Sequence, residues 1–293
     1  MKNLQRLHVN PAAVLALLAW LSSPSCKQQE EKDLCVDEPP PSVQLPQGLG
    51  EVELQAALSI DEWVEKNEDD SLETGGMLRA HFVDMTSCAE ESTPAIPFGE
   101  ACFGIAGQPN DICDLERLEA DAVVFKGLVD GDVALEKNDA GLFLPEGLPD
   151  AILSDEGGET LKVEVSSTSG ETAFPAFDIE ITAPPRVVMN RIEMTPNWSM
   201  EVEWEPADAT FFEVVLKTTL PGEEQHSNRL RCLLADDGCH EIPAEGVEWL
   251  RSQGADEVNV LLKRHMLAHK AATSGALAEL DATRSMEFDL VLE

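Results

Sequence analysis

The chain predicts an all-β protein: two tandem β-sandwich-like domains with one or two short helices. Three observations carry this expectation. Apolar and polar residues alternate with period 2 in segment after segment, as in strands with one face in a core and one in water. Glycine, proline and aspartate turns separate these segments at near-regular intervals, as in sandwiches and barrels. Helical patterns are few and brief, so they do not change the class.

Taken in chain order, short helical turns are expected between Asp61 and Asp70 and between Asp111 and Ala120. Val123-Val124-Phe125 and Val133-Ala134-Leu135 flank Asp130-Gly131, a dipeptide suited to the positive backbone angles of a tight hairpin. Leu161, Val163 and Val165 alternate with Lys162 and Glu164, and Phe177, Ile179 and Ile181 alternate with Asp178, Glu180 and Thr182. Gly157-Gly158 and Ser169-Gly170 supply turns around the first of these strands. Ala183-Pro184-Pro185 interrupts the pattern and is the expected domain boundary.

The same grammar resumes after Pro185. Met200 to Trp204 is a strand, Pro206-Ala207-Asp208 a turn, and Phe211 to Lys217 a second strand. Pro243 to Gly254 reads as one brief helix, with Val247 and either Leu250 or Trp249 facing inward and Gly254 as its stop. Val258, Val260 and Leu262 mark a further strand, and Met286, Phe288, Leu290 and Leu292 a terminal one. The division that follows is a signal over 1–25, a polar and proline-rich tether over 26–46, and β domains over 47–184 and 185–293.

The N-terminus decides the expected location. Lys2 and Arg6 precede the apolar run Ala12–Leu21, which is half the roughly 20 residues a membrane-spanning helix needs. Small residues, Ser22-Ser23-Pro24-Ser25, then lead to Cys26. A basic start, a short apolar core and small residues are the parts of an export signal. The segment resembles bacterial lipoprotein signals, although Ser23 stands where such boxes usually carry leucine. The resemblance implies that the mature chain begins at a diacylated Cys26. Two or three acyl chains hold a protein stably where one does so marginally. Lys27 to Asp33 is a flexible polar tether, and Pro39-Pro40-Pro41 is stiff and extended.

Seven cysteines less Cys26 leave an even six, which in an exported chain suggests disulfides. Local spacing favours Cys232–Cys239 and Cys88–Cys102, which leaves Cys35 with Cys113. Cys239-His240 next to Asp236-Asp237 invites a metal assignment, but a disulfide is the simpler role for a cysteine in an exported loop. There is no Cys-x-x-Cys and no cysteine pair at finger-like spacing from histidines, so no metal site is assigned.

Removing the 25-residue signal takes two of the 20 basic residues and none of the 56 acidic ones, so the mature charge is 18 − 56 = −38. So strong a negative field opposes binding to nucleic acid or to an anionic lipid surface. Hydrophobic content of 43% is enough for a packed core, so the acids belong on solvated strand faces. Asp130-Gly131-Asp132 and Asn67-Glu68-Asp69-Asp70 offer oxygen ligands, but neither has the loop spacing of a calcium-binding hand. Calcium is therefore retained only as an alternative cofactor.

His265 and His269 are four apart, but on a strand that separation is about 13 Å, too far for one ion. They are expected to be exposed. No nucleophile elbow, phosphate-binding loop or dinucleotide fingerprint occurs.

Val202-Glu203-Trp204-Glu205-Pro206 followed by Phe211-Phe212-Glu213-Val214-Val215 resembles the second and third strands of a fibronectin type III domain. The resemblance implies a buried Trp204 facing Phe211 or Phe212 in a sandwich; the helix after Pro243 departs from it. The layout, including Phe174-Pro175-Ala176-Phe177, is also similar to that of Gram-negative envelope lipoproteins with paired β domains. Together these imply a non-enzymatic lipoprotein, held by its lipid to a membrane (the outer membrane, on its periplasmic or surface face). Its expected partner is an envelope protein or glycan. The alternatives are an exported hydrolase with an acidic or metal site and a calcium-dependent adhesion module.

Overall fold

The computed structural model describes residues 54–66, 71–84, 95–106, 116–137, 143–145, 148, 151–167, 173–218, 228–254, 257–272 and 276–292. All of them belong to one compact unit, Asp37–Glu293. The signal, Cys26, the whole tether, Cys35, Cys88, Cys113 and Asn67–Asp70 lie outside the described residues.

The described chain is almost entirely strand. In the first half lie β1 (Leu54–Lys66), β2 (Leu72–Asp84), β3 (Ile96–Phe98), β4 (Cys102–Ile105) and β5 (Glu116–Arg117). They are followed by β6 (Ala120–Lys126), β7 (Val133–Lys137), β8 (Phe143–Leu144), β9 (Thr160–Ser167) and β10 (Phe177–Thr182). The second half holds β11 (Met189–Met194), β12 (Met200–Trp204), β13 (Phe211–Lys217), β14 (Arg229–Leu234) and β15 (Cys239–Ile242). A single described helix, α1 (Ala244–Ser252), precedes the long strands β16 (Glu257–Ala271) and β17 (Leu277–Val291).

One sheet runs β10-β9-β6-β7-β8-β2-β1-β17-β16-β13-β14-β4-β3, with β5 on β2, and a second runs β11-β12-β15. Pairing is antiparallel except where the first long strand meets the last, β1 with β17. The large sheet curls so that β10 lies against β16 and β17, with Lys270 Nζ 3.5 Å from Asp178. The small sheet covers β13, β14 and β16 to form a sandwich.

Alternation explains two cores. Leu58, Ile60, Leu78, Val123, Phe125, Val163, Ile179 and Leu280 fill the first. Val202, Trp204, Phe212, Val214, Leu216, Val260 and Leu262 fill the second. Trp204 stacks on Phe212 with ring centroids 4.1 Å apart and planes 6° apart. Burying side chains of this size contributes about 1.5–3 kcal/mol each.

The chain passes from one core to the other at Ala183-Pro184-Pro185. Two segments cross over. Phe98 and Cys102 of β3–β4 pack into the second core, while Ala278, Leu280 and Ala282 of β17 pack into the first. The crossing follows from length: a strand of 15 residues is about 50 Å long and spans more than one core.

The expected hairpin forms. Val123, Val124 and Phe125 pair with Leu135, Ala134 and Val133, and Gly131 takes φ 104°, a backbone state that glycine adopts freely. Helix α1 buries Val247 and Leu250 and ends before Gly254 at φ 87°.

Two expectations are corrected. The stretch from Asp61 to Lys66 is strand, not a helical turn, because Ile60 and Glu62 must reach the same inner face. The part of Asp111–Ala120 that is described is strand and coil. The strand foreseen at Val258–Leu262 continues to Ala271, with Met266 and Ala268 packing on the first core.

Candidate functional site

The register of β13, β16 and β17 gathers charge onto the outer face of the large sheet. Even-numbered residues of β16 from Val258 to Leu262 enter the core, so His265 is on the opposite face, between Phe211 of β13 and Thr283 of β17. Its ring stacks on Phe211 at 4.3 Å and 11°. Nε2 lies 3.2 Å from Glu213 Oε2, and Nδ1 lies 3.0 Å from Asp281 Oδ2 and 3.3 Å from Thr283 Oγ1. Arg231 Nε donates to the other oxygen of Glu213, and Lys263 Nζ stands 3.9 Å away.

His265, Glu213 and Thr283 are buried, so the expectation of an exposed His265 is corrected. Its partners on neighbouring strands cover it. His269 is also half-covered and bonded, through Nε2 at 2.7 Å to Glu279.

The surrounding charges shift the titration of these groups. Burial alone would lower the His265 pKa, but hydrogen bonds to Asp281 and Glu213, with their charge, outweigh it and raise it. Burial alone would raise Glu213, but the His265 hydrogen bond and the charges of Arg231, Lys263 and His265 bring it down to about 2. Burial raises Asp61, helped by the Asp281 charge and opposed by the Ser59 hydrogen bond. Both ring nitrogens thus face carboxylate oxygens, an arrangement that favours the imidazolium form. With both nitrogens engaged, the ring has none left to activate a nucleophile.

A stability profile follows. The His265 contribution is complete below its unfolded pKa of about 6.5 and is lost as pH rises through the higher folded value. The Glu213 contribution is complete above about 4.3 and is lost as pH falls toward 2. His265→Gln is expected to remove about 2 kcal/mol near pH 5.5, where hydrogen bonds to charged groups act in full, and less above neutrality. Urea melts across pH check this; an equal loss at all pH values would contradict a protonated His265.

A second cluster lies between the two sheets. Cys102 and Cys232 face each other across β4 and β14 and are joined by a disulfide. This corrects the expected Cys232–Cys239 and Cys88–Cys102 pairs. The local spacing was misleading because β4 is carried to the edge of β14, 130 residues along the chain. Cys239 and His240 alternate on β15, so His240 points inward and Cys239 does not. His240 Nε2 lies 3.4 Å from Cys102 Sγ. All three are buried side chains with ligand atoms within 4.8 Å of one another. Asp236 is not part of that group. It accepts from Trp204 Nε1 at 2.8 Å and from Arg264 Nε at 2.7 Å.

The inner face between the two cores carries buried charge that the sequence reading did not anticipate. Arg264 and Arg284 sit opposite each other on β16 and β17. Arg264 donates to the carbonyls of Pro185, Arg186 and Glu205 as well as to Asp236. Arg284 lies 2.9 Å from Glu62 Oε1, while Glu62 Oε2 accepts from the amides of Ile152 and Leu153 at 2.9 and 2.8 Å. A usable signal existed: a charged residue in the inward phase of an apolar alternation, as at Glu62, Arg264 and Arg284.

The β11–β12 turn presents Trp198, half exposed at φ 68°. A bulky residue in the left-handed region is strained. Arg251 lies over its ring at 4.2 Å, and its guanidinium also donates to the Leu292 carbonyl at 2.6 Å. Among the described residues, no helix is long and apolar enough to cross a membrane. No family model matches the chain, and no curated protein matches it in sequence.

Proposed function

We propose that this protein is an exported lipoprotein, anchored through Cys26 to a membrane of the cell envelope, and that it serves a binding or structural role there. The observation that carries the reading is the Cys102–Cys232 disulfide in a chain that opens with a signal-like segment. Structural disulfides persist in oxidising compartments and are rare in reducing ones.

The strand order supports the fibronectin type III-like part of the reading. The second half pairs as β11-β12-β15 against β17-β16-β13-β14, two sheets of a sandwich, with Trp204 stacked on Phe212 between them. A binding role rather than catalysis is supported by His265, whose two nitrogens are both held by carboxylates. Trp198, held under Arg251 on an exposed turn, is the side chain best placed to contact an envelope protein or glycan. Tryptophan and arginine are the residues that most often dominate such contacts.

Cys26→Ser is expected to move the protein from the membrane fraction to the soluble fraction while its unfolding midpoint stays unchanged. Unaltered membrane association of that variant would overturn the anchored-lipoprotein reading.

A further inference from the structure

The sequence places His240 beside Cys239, but the fold assigns it to other cysteines. Strand alternation turns His240 into the sandwich, where its Nε2 meets the Cys102–Cys232 bridge. We propose that these three side chains form a redox-gated zinc site: a disulfide when oxidised, and a two-thiolate, one-imidazole ligand set when reduced.

Geometry carries this first. Zinc bonds of about 2.3 Å to sulfur and about 2.0 Å to nitrogen, at a tetrahedral angle, put the two ligand atoms about 3.5 Å apart. Cys102 Sγ and His240 Nε2 are already 3.4 Å apart. Opening the bridge requires Cys232 Sγ to swing from bonding distance to about 3.8 Å from its partner, the sulfur–sulfur separation around one zinc. That is a side-chain rotation, because the two cysteines sit directly opposite in adjacent strands. The three ligands come from β4, β14 and β15, so the facing sheets hold them without a loop. Three protein ligands leave the fourth corner of the tetrahedron to one exogenous ligand such as a single water.

Charge is the second support. The ligand atoms are buried, and a buried ion needs compensation. One divalent cation, two thiolates and a neutral imidazole sum to zero. Thiolate and imidazole donors are also the set that zinc prefers over the hard oxygen ligands of calcium or magnesium.

The chemistry balances with a reductant named by class. A dithiol closes its own disulfide and passes on its two hydrogens, or a phosphine takes the oxygen of water to become a phosphine oxide; either delivers two electrons, the Cys102–Cys232 sulfur–sulfur bond breaks, and each sulfur ends with one proton. Zinc then displaces both thiol protons to solvent and accepts the Nε2 lone pair of His240. The site therefore binds more tightly as pH rises.

The test uses the full-length chain in detergent, with zinc titrated against a chromogenic chelator in the oxidised state and after reduction by a water-soluble phosphine. The reduced protein is expected to take up about one more equivalent of zinc than the oxidised protein, with affinity falling at least tenfold in His240→Ala. Zinc should also protect both Cys102 and Cys232 from alkylation, read peptide by peptide in the mass spectrum. That readout needs no variant and separates this site from the other cysteines. Equal uptake in the two redox states would overturn the proposal, as would uptake indifferent to His240→Ala or to His240→Gln. Alkylation of Cys102 and Cys232 at the unprotected rate in zinc would do the same. Cys26→Ser leaves every outcome unchanged, so failure here is distinct from failure of the membrane anchor.

Discussion

Arg264→Ala is expected to destabilise the fold by about 3–5 kcal/mol, the range found when one partner of a buried ion pair is removed. Both Arg264 and Asp236 are about 1% exposed. Truncating the arginine leaves the Asp236 carboxylate with the Trp204 indole as its remaining side-chain partner. It also removes donors from three carbonyls, those of Pro185, Arg186 and Glu205. A lysine is expected to recover only part of the loss, because an ammonium cannot reproduce the planar fork that serves a carboxylate and several carbonyls together. Urea unfolding checks this as a fall in midpoint at constant slope. A shift worth under about 1 kcal/mol would mean the pair is solvated, as exposed pairs of that worth are.

The position of Arg264 explains why the effect should be large. Along β16 the inward residues read Val258, Val260, Leu262, Arg264, Met266 and Ala268. The first three belong to one core and the last two pack on the other. Along β17, Arg284 separates Ala278, Leu280 and Ala282 from Met286 and Phe288 in the same way. The two guanidiniums thus occupy the layer where the cores meet. They donate to the carbonyls of Pro185 and Arg186 in the connection between the cores and to those of Ser154 and Asp155.

Replacing both Cys102 and Cys232 by alanine is expected to cost about 4 kcal/mol, because the bridge closes a loop of 130 residues and limits the unfolded chain accordingly. The loss should be uneven. Strands β3 and β4 are short and lie at the sheet edge, where the bridge ties β4 to β14. The backbone pairing of β4 with β14 remains, as does Phe98 against Trp249 with centroids 5.8 Å apart. Limited proteolysis should therefore cut the double variant first within residues 95–106, with the rest of the sandwich resistant. Cleavage spread evenly over both cores would show that the bridge acts globally.

Much of the fold was legible in the sequence. Period-2 alternation is a local property, so Leu161–Val165, Phe177–Ile181 and Met200–Trp204 identified themselves as strands. The Asp130-Gly131 turn and the helix stop at Gly254 were legible for the same reason: each rests on the backbone freedom of one glycine. The helical reading failed over Asp61–Lys66 because acids and a tryptophan give no clean period there. What holds Asp61 to Lys66 extended is pairing to the adjoining strand β2 and to β17, which is distant in the chain.

The sites were less legible. His265 was assigned to the surface because nothing nearby announces Glu213 and Asp281, which the sheet register brings to its two nitrogens from 52 and 16 residues away. The cysteine pairing was misassigned for the same reason. Proximity along the chain favoured Cys232–Cys239, but Cys239 sits one step out of phase with the inward-facing His240 on β15.

By itself, the sequence determined the class and strands such as Leu161–Val165, Phe177–Ile181 and Met200–Trp204, because these depend on composition and on intervals of a few residues. Only the tertiary structure decided which cysteines join, that His265 is buried between two carboxylates, and that paired arginines separate two cores. Those outcomes depend on which distant strands lie side by side and in what register. A shift of one residue would have turned every one of these side chains to the other face.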